Sequence, residues 1–199
     1  MENILAITVR STHYYLIDLG QGKLLVDAGW VGYLPQFANR LKAYQLDFSD
    51  IRYVMMTHLH PDHAGLVQTV KRLSGAILII HEKQIPYLAQ LAAYFHNNRE
   101  FEPVVVNPDD MISPNRNKLA EIGIRGEIIE TPGHSDDSIS LVLDSGAAFV
   151  GDLTPLGLAS DEKRPELLSS WRKLVERKVH TVYHAHADPF PITDIVELF

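Results

Sequence analysis

The chain has 199 residues, no cysteine and a formal net charge of −7 at pH 7. This length allows one sizeable hydrophobic core, so we expect a single domain over residues 1–199. The lack of cysteine excludes disulfide bonds and thiolate metal ligands and fits a cytoplasmic protein. The negative charge argues against a nucleic-acid partner, whose binding needs clustered Lys and Arg. No apolar run approaches the ~20 residues of a membrane helix, so we expect no membrane partner.

The N-terminal part of the chain predicts three strands followed by a helix. Apolar runs at Ile4–Val9 and at residues 14–19 flank a short polar turn, which predicts a β-hairpin. Lys23–Val26 predicts the third strand, and it ends at Asp27. Apolar residues at helical spacing over residues 33–45 predict a helix that packs on the sheet.

A second series of strands and helices follows. Residues 51–56 and 76–80 are apolar and predict buried strands, and residues 66–73 between them predict a helix. An apolar stripe at helical spacing predicts another helix over residues 85–95, with Pro86 in its first turn. This alternation indicates an α/β protein with layers of sheet and helix.

Residues 86–117 combine aromatic residues with several prolines. Two interpretations stay open for this segment. Its helix can pack in the core, or its aromatic side chains, such as Tyr94 and Phe101, can wall a substrate pocket. We expect the segment to border the functional site and to favour an apolar substrate group.

The last part of the chain predicts further strands and one helix. Residues 122–130 predict two strands joined by a turn near Gly126, and residues 139–143 and 147–150 predict a hairpin. Apolar residues at helical spacing predict a helix over residues 165–178, followed by the last core strand.

Candidate metal ligands are concentrated directly after the predicted strand at residues 51–56. They are His58, His60, Asp62 and His63. Imidazole nitrogens and carboxylate oxygens are usual zinc ligands, and loops at strand ends commonly carry chemistry. In an extended loop His58 and His60 point the same way, while Asp62 and His63 come from the following turn and can face a second metal. The pattern therefore predicts a metal site rather than a solvated histidine-rich loop.

This stretch resembles the His-x-His-x-Asp-His signature of the metallo-β-lactamase-fold hydrolases. Four further motifs resemble those of the same family and occur in its order, at residues 24–29, 131–135, 149–152 and 182–187. The resemblance implies an α/β fold in the form of a four-layer αββα sandwich, with two mixed β-sheets flanked by helices.

The resemblance also implies a dinuclear metal site. Asp27 would lie behind it and orient a metal-bound histidine. Nitrogen and oxygen ligands suit zinc, and also iron or manganese. The implied ligands are His58, His60 and His134 for the first metal and Asp62, His63 and His186 for the second, with Asp152 bridging both.

The last motif contains two histidines that compete for one ligand position. His184 and His186 are two residues apart, so both can face the same side of an extended segment. Alignment of residues 183–187 with the family pattern Tyr-Pro-Gly-His-Gly places His186 at the ligand position. We therefore predict His186 as the ligand, with His184 as the alternative.

The implied reaction is hydrolysis of a small-molecule substrate. Two metals would lower the pKa of a shared water, and the bridging hydroxide would attack a carbonyl or phosphoryl centre. Asp62, or a metal-bound water, would then protonate the leaving group.

Asp152, at a position where the commonest true β-lactamases use Cys, resembles the glyoxalase II and lactonase side of the family. Few residues follow His186, too few for the C-terminal domain of glyoxalase II. The predicted substrate is therefore a small ester, thioester or lactone. The alternatives are phosphodiester hydrolysis, a mononuclear iron persulfide dioxygenase on the same scaffold, and a metal-binding module without catalysis.

Overall fold

A computed structural model describes residues 3–196 of the chain. The chain divides into two compact units, Met1–Pro114 and Asn115–Phe199, and each contains one mixed β-sheet. The expectation of a single domain stays a prediction. No helix in the described part of the chain combines the length and the apolar character that crossing a membrane requires.

The first unit contains a six-stranded sheet. Its strands are β1 (Ile4–Val9), β2 (Thr12–Asp18), β3 (Lys23–Val26), β4 (Ile51–Met55), β5 (Ile77–Ile80) and β6 (Met111–Ile112). They lie side by side in chain order. The strands from β1 to β3 are antiparallel, and those from β3 to β6 are parallel. Because parallel strands end at the same edge, the residues that follow β3 and β4 emerge next to each other.

Four helices accompany this sheet. They are α1 (Leu34–Ala43), α2 (Pro61–Ala64), α3 (Val67–Ser74) and α4 (Leu88–Tyr94). The predicted helices over residues 33–45 and 66–73 are confirmed as α1 and α3. The predicted helix over residues 85–95 is a 3₁₀ turn, Glu82–Tyr87, that continues into α4. Pro86 lies inside that turn, which explains why the regular helix begins after it.

The core of the first unit lies between the sheet and its helices. Phe37 and Leu41 of α1 and Val70 of α3 are fully buried together with Val54 and Leu78 of the central strands. Burial of side chains of this size contributes about 1.5–3 kcal/mol each. This packing holds the ends of β3 and β4 in place, where the first group of candidate ligands begins.

The second unit contains a five-stranded sheet. Its strands are β7 (Gly126–Glu130), β8 (Ile139–Leu143), β9 (Ala147–Gly151), β10 (Thr181–His184) and β11 (Phe190–Pro191). Their spatial order is β11-β10-β9-β8-β7. Among the strands that the structure describes in this unit, β9 and β10 are the pair that runs in parallel, so the residues that follow these two strands emerge at one edge. The helices of this unit are α5 (Arg116–Glu121), α6 (Arg164–Glu176) and α7 (Thr193–Val196).

The predicted strand pair over residues 122–130 is wrong. The structure has one strand there, β7, preceded by α5. Ile122 caps α5, and Gly123 has a φ of 91°, which ends the helix. The missed signal was Asn115, whose side chain accepts a hydrogen bond from the Lys118 amide at 3.0 Å as the N-cap of α5.

Helix α6 covers the core of the second unit. Trp171 is fully buried, and its Nε1 donates to the Thr154 carbonyl at 2.9 Å. Leu167 and Leu174 from the same helix pack with Val182 of β10. The predicted helix over residues 165–178 and the predicted last core strand are therefore confirmed as α6 and β10.

Candidate metal centre

In the first unit, the predicted ligands lie on the segment that connects β4 to α3. His58 Nε2 lies 3.0 Å from His60 Nδ1, so the two rings present nitrogen atoms to one point. Asp62 Oδ2 lies 3.6 Å from His63 Nε2, which forms a second group. The ligand atoms within each pair are close enough to share one cation.

The backbone of α2 explains this grouping. His60 caps the helix, and its carbonyl accepts hydrogen bonds from the amides of His63 and Ala64, both at 3.0 Å. Pro61 occupies the first helical position, where its fixed φ favours the turn. The backbone of His60 is therefore still extended, like the loop before it, while Asp62 and His63 belong to the helical turn.

The four side chains differ in their exposure to solvent. His58 and His63 are buried, with 1% and 0% of their surface exposed. Asp62 is half-buried and His60 is exposed. The group therefore extends from the interior of the first unit to its surface, where a small molecule can reach it.

Asp27 holds the His63 ring from behind. Its Oδ2 lies 2.8 Å from His63 Nδ1, and its Oδ1 accepts from the Thr57 amide at 2.7 Å. An Nδ1–H that donates to this carboxylate leaves Nε2 as the ring nitrogen available to a metal. Asp27 itself has a φ of 64°, a left-handed conformation that costs a residue other than glycine on the order of 1–3 kcal/mol.

Thr57 is a buried residue that the sequence analysis missed. Its Oγ1 lies 2.9 Å from Asp27 Oδ2, 3.2 Å from His58 Nδ1 and 3.5 Å from His63 Nδ1. One hydroxyl thus links the carboxylate to both buried imidazoles. Its position directly before His58 was the available signal, but neighbourhood in sequence does not reveal a shared hydrogen-bond network.

Thr12 and Tyr14 approach the same region from β2. Thr12 Oγ1 donates to Asp62 Oδ2 at 3.3 Å. Burial, with the nearby negative charges of Asp62 and Asp27, raises the pKa of the Tyr14 hydroxyl well above its ordinary value. Tyr14 therefore stays protonated and able to donate a hydrogen bond beside these carboxylates.

Gln84 supports the strand end from which the ligand loop begins. It is fully buried, and its Nε2 donates to the Met56 carbonyl at 2.9 Å. Its Oε1 accepts from the His81 amide at 3.1 Å. Sequence patterns do not indicate the contact between Gln84 and Met56, because these residues are far apart along the chain.

In the second unit, the predicted ligands follow three strands, β7, β9 and β10. Asp152 Oδ2 lies 3.6 Å from His134 Nε2 and 3.2 Å from His186 Nε2. One carboxylate oxygen thus faces two imidazole nitrogens. Side-chain exposure is 11% for Asp152 and 33% for His186, so this group is also reachable from solvent.

A tight turn positions His134. Gly133 has a φ of 135°, and a Cβ at this position would lie 2.5 Å from Leu167 Cδ2. Ser170 Oγ donates to the Pro132 carbonyl at 2.7 Å, which ties the turn to α6. Only glycine fits this conformation and this close approach.

His184 and His186 have different environments. His186 Nε2 faces Asp152, whereas the buried His184 uses its Nδ1 to accept the His186 amide at 3.0 Å. Between them, the Ala185 amide donates to the Gly151 carbonyl at 2.9 Å, which ties this loop to the end of β9. His186 Nε2 therefore faces the same carboxylate as His134, whereas His184 Nδ1 accepts from the backbone, and the choice of His186 as the ligand stays a prediction.

The chemistry of these donors fits divalent cations. The ligand atoms in both units are imidazole nitrogens and carboxylate oxygens, which suit zinc, iron or manganese. Each unit mixes neutral donors with at least one carboxylate, so bound cations would be partly neutralised. The chain thus has a histidine and aspartate cluster able to bind metal ions.

Comparison with known proteins adds family and fold. The model of the metallo-beta-lactamase superfamily matches residues 7–186. A relative from Drosophila melanogaster, "Beta-lactamase-like protein 2 homolog", is 26% identical over 92% of this chain and 61% of its own length. "Atrochrysone carboxyl ACP thioesterase" from Claviceps purpurea is 24% identical over 90% of this chain and 52% of its own length. The chain therefore spans between half and two thirds of these curated relatives.

Solved structures resemble the chain over nearly all of its length. The crystal structure of a metallo-beta-lactamase family protein from Thermus thermophilus matches with a TM-score of 0.73 and 20% identity, covering 98% of this chain and 77% of that one. This likeness, with the two mixed sheets and their helices, confirms the predicted fold class. Since the family match also covers more than half of the residues, the chain belongs to the metallo-beta-lactamase superfamily.

Proposed function

We propose that the chain is a metal-dependent hydrolase that cleaves a small ester, thioester or lactone. The observation that carries this proposal is the donor set, in which buried imidazoles are oriented by further hydrogen-bonded groups, as Asp27 orients His63. Such support is typical of metal ligands and is not needed by surface histidines. Relatives named as thioesterases favour an acyl-transfer substrate.

The proposed centre holds two divalent metals, with zinc as the first choice. The family match over residues 7–186 contains all of the proposed ligands, which supports the assignment that the resemblance implies. The proposed assignment is His58, His60 and His134 for one metal and Asp62, His63 and His186 for the other, with Asp152 bridging.

When bound, two such cations would lower the pKa of a water molecule and polarise the substrate carbonyl. In the net reaction, the oxygen of water adds to the carbonyl carbon, and the carbon–sulfur or carbon–oxygen bond breaks. Asp62 is half-buried and hydrogen-bonded by Thr12, which suits it to carry the water's proton to the leaving thiolate or alkoxide. The products are a carboxylate and a thiol or alcohol.

A pocket of the first unit offers aromatic walls to a substrate acyl group. It has a volume of about 730 Å³, within the range of small-molecule sites, and its lining combines Trp30, Tyr94 and Phe95 with the polar residues 97–100. Helix α4, which carries Tyr94, packs against α2, which carries Asp62 and His63. The helix that supplies part of the pocket's aromatic wall thus contacts the helix that carries two candidate ligands of the same unit.

The two interpretations of residues 86–117 describe different faces of one helix. Leu91 and Phe95 are buried, with 3% and 7% exposure, so this face packs in the core. Tyr94 is 61% exposed, and its ring centroid lies 6.5 Å from that of Trp30. The outer face is thus free to contact a substrate, which supports the proposed role of this segment in specificity.

Metal analysis combined with a substrate panel tests the proposed function. We expect two metals per chain after zinc loading, and hydrolysis of thioesters or lactones that a chelator abolishes and zinc restores. Asp152→Ala should lower both metal content and rate, because it removes the proposed bridge. A single iron with oxygen consumption on persulfides, or metal-dependent cleavage of phosphodiesters alone, would overturn the proposal.

A further inference from the structure

A second pocket of the first unit lies beside the turn between β1 and β2. Its volume is about 350 Å³, and it is lined by polar and apolar residues of β1, of the turn, and of α1 with its N-cap. The residues that matter here are Arg10, Tyr33, Gln36, Asn39 and Arg40. The proposed metal ligands do not line this pocket, so it is distinct from the candidate centre.

The pocket is positively charged on a protein of opposite net charge. Two guanidinium groups, Arg10 and Arg40, line it, and none of its described lining residues is acidic. Neither arginine takes part in an ion pair within the described part of the chain. With a net charge of −7, such a concave pair of unneutralised cations marks a site for an anion.

Arg10 is held in place before any ligand binds. Its Nη1 donates to the Tyr33 hydroxyl at 2.9 Å, and its guanidinium carbon lies 5.1 Å from the centroid of the Tyr33 ring. Its φ of 58° is a left-handed conformation, which a bulky residue rarely adopts. Asn or Gly would fit this conformation better, so the presence of an arginine here indicates a role for its charge.

The same turn leads directly to a proposed catalytic residue. Val9, which lines the pocket, pairs across the turn with Thr12, and Thr12 donates to Asp62 Oδ2 at 3.3 Å. The anion pocket and the Asp62 carboxylate thus contact the two partners of one cross-strand pair, so an extended substrate that reaches from one to the other would follow this hairpin.

We propose that this pocket binds the phosphate of the carrier arm of a thioester substrate. The inference rests on the proposed hydrolase function and narrows its substrate class. Two guanidiniums with neutral donors from Tyr33, Gln36 and Asn39 match the several acceptor oxygens of a phosphate group better than a single carboxylate. Both coenzyme A and a carrier protein's phosphopantetheine arm present such a phosphate on the thiol that leaves.

Kinetics with paired substrates test this proposal. The zinc-loaded enzyme is assayed with one acyl group carried on coenzyme A, on phosphopantetheine or on N-acetylcysteamine, which lacks phosphate. We expect the double variant Arg10→Gln/Arg40→Gln to lose at least tenfold of the preference in kcat/KM for the phosphate-bearing thioesters over the N-acetylcysteamine thioester. The matched control is Arg125→Gln/Arg172→Gln, which removes the same charge from exposed positions of the second unit. An equal loss in both variants, or none in either, would overturn the proposal.

Calorimetry keeps the pocket testable even if no thioester is hydrolysed. Phosphopantetheine and adenosine 3′,5′-bisphosphate are titrated into the metal-loaded protein, and we expect binding that weakens with salt and is lost in Arg10→Gln/Arg40→Gln. Binding of phosphopantetheine alone would identify the carrier-protein arm, and binding of the bisphosphate as well would identify coenzyme A. Binding of neither, or equal binding to the double variant, would refute the phosphate site.

Discussion

Asp27 Oδ2 lies 2.8 Å from His63 Nδ1, and both side chains are buried. These residues are far apart along the chain, yet they follow β3 and β4, which are parallel neighbours in the sheet. The sheet therefore brings together a carboxylate and an imidazole that fix each other. Thr57 completes the arrangement by donating to the same carboxylate. The His63 ring is thus oriented by the fold before a metal binds.

Asp27→Asn tests this orientation. Asparagine has only one acceptor oxygen, so it cannot accept from both the Thr57 amide and the Nδ1–H of His63. The ring would then lose the hydrogen bond that fixes its tautomer. We expect zinc affinity at one of the two sites to fall about 10- to 100-fold, the range seen when such supporting partners are removed. Competition titration with a chromogenic chelator measures this change. Asp109→Asn, at an exposed position, is the control and should keep the wild-type affinity.

The two histidines of the last motif make a second test. We expect His186→Ala to lower the occupancy of one metal, because its Nε2 faces Asp152 at 3.2 Å. His184→Ala should retain two metals with affinity reduced by less than about tenfold, since it removes an acceptor for the His186 amide and none of the proposed ligands. Elemental analysis after dialysis distinguishes the two variants. If His184→Ala lost a metal and His186→Ala kept both, the assignment would be reversed.

Much of this arrangement could be predicted from sequence because the candidate ligands occur at strand ends. Apolar runs indicate β4 and β9, and the polar residues after them, such as His58 and Asp152, are recognisable as candidate ligands. Helix α5 was missed because it is short and its apolar spacing is weak. Thr12, Thr57 and Gln84 were missed because their contacts depend on tertiary packing, which periodicity along the chain does not encode.

Gly133→Ala tests the turn that positions His134. An added Cβ would meet Leu167 at 2.5 Å in a backbone conformation that already disfavours side chains. We expect a loss of stability of roughly 2–4 kcal/mol, combining strain and overpacking. Urea denaturation measures it. Gly75→Ala is the matched control, because its φ is also positive at 70° but its Cβ would meet nothing, so only about 1–2 kcal/mol should be lost. Equal losses would contradict the steric explanation.

Glu102 gives a prediction about pH. Hydrogen bonds from Arg72, with one from Thr69, hold the pKa of the Glu102 carboxyl below its usual value. Because the folded state favours the charged form, Glu102 stabilises the fold above the ordinary glutamate pKa, and this contribution disappears as the pH falls through the lower folded value. We expect Glu102→Gln to lower the melting temperature at pH 7 and to match the wild type at the acidic end. A difference that persisted in acid would exclude this ionisation as its cause.

Tyr94 tests whether the aromatic pocket contacts the substrate. Its ring is 61% exposed, so its removal leaves the core intact, and it lies on α4, which packs against α2. An aromatic contact contributes about 0.5–1.5 kcal/mol, so Tyr94→Ala should raise KM for an apolar acyl substrate roughly 2- to 10-fold. Metal content should stay at two per chain, which separates substrate binding from damage to the centre.

Phe101→Ala should act in the same direction by loosening Phe95, whose ring stacks on it with centroids 4.6 Å apart. Leu158→Ala, the control at a position that is 79% exposed in the second unit, should leave KM unchanged. If Tyr94→Ala left KM and the ranking of acyl substrates unchanged, the pocket would not be a substrate site, and the exposed aromatic face would be assigned to another contact.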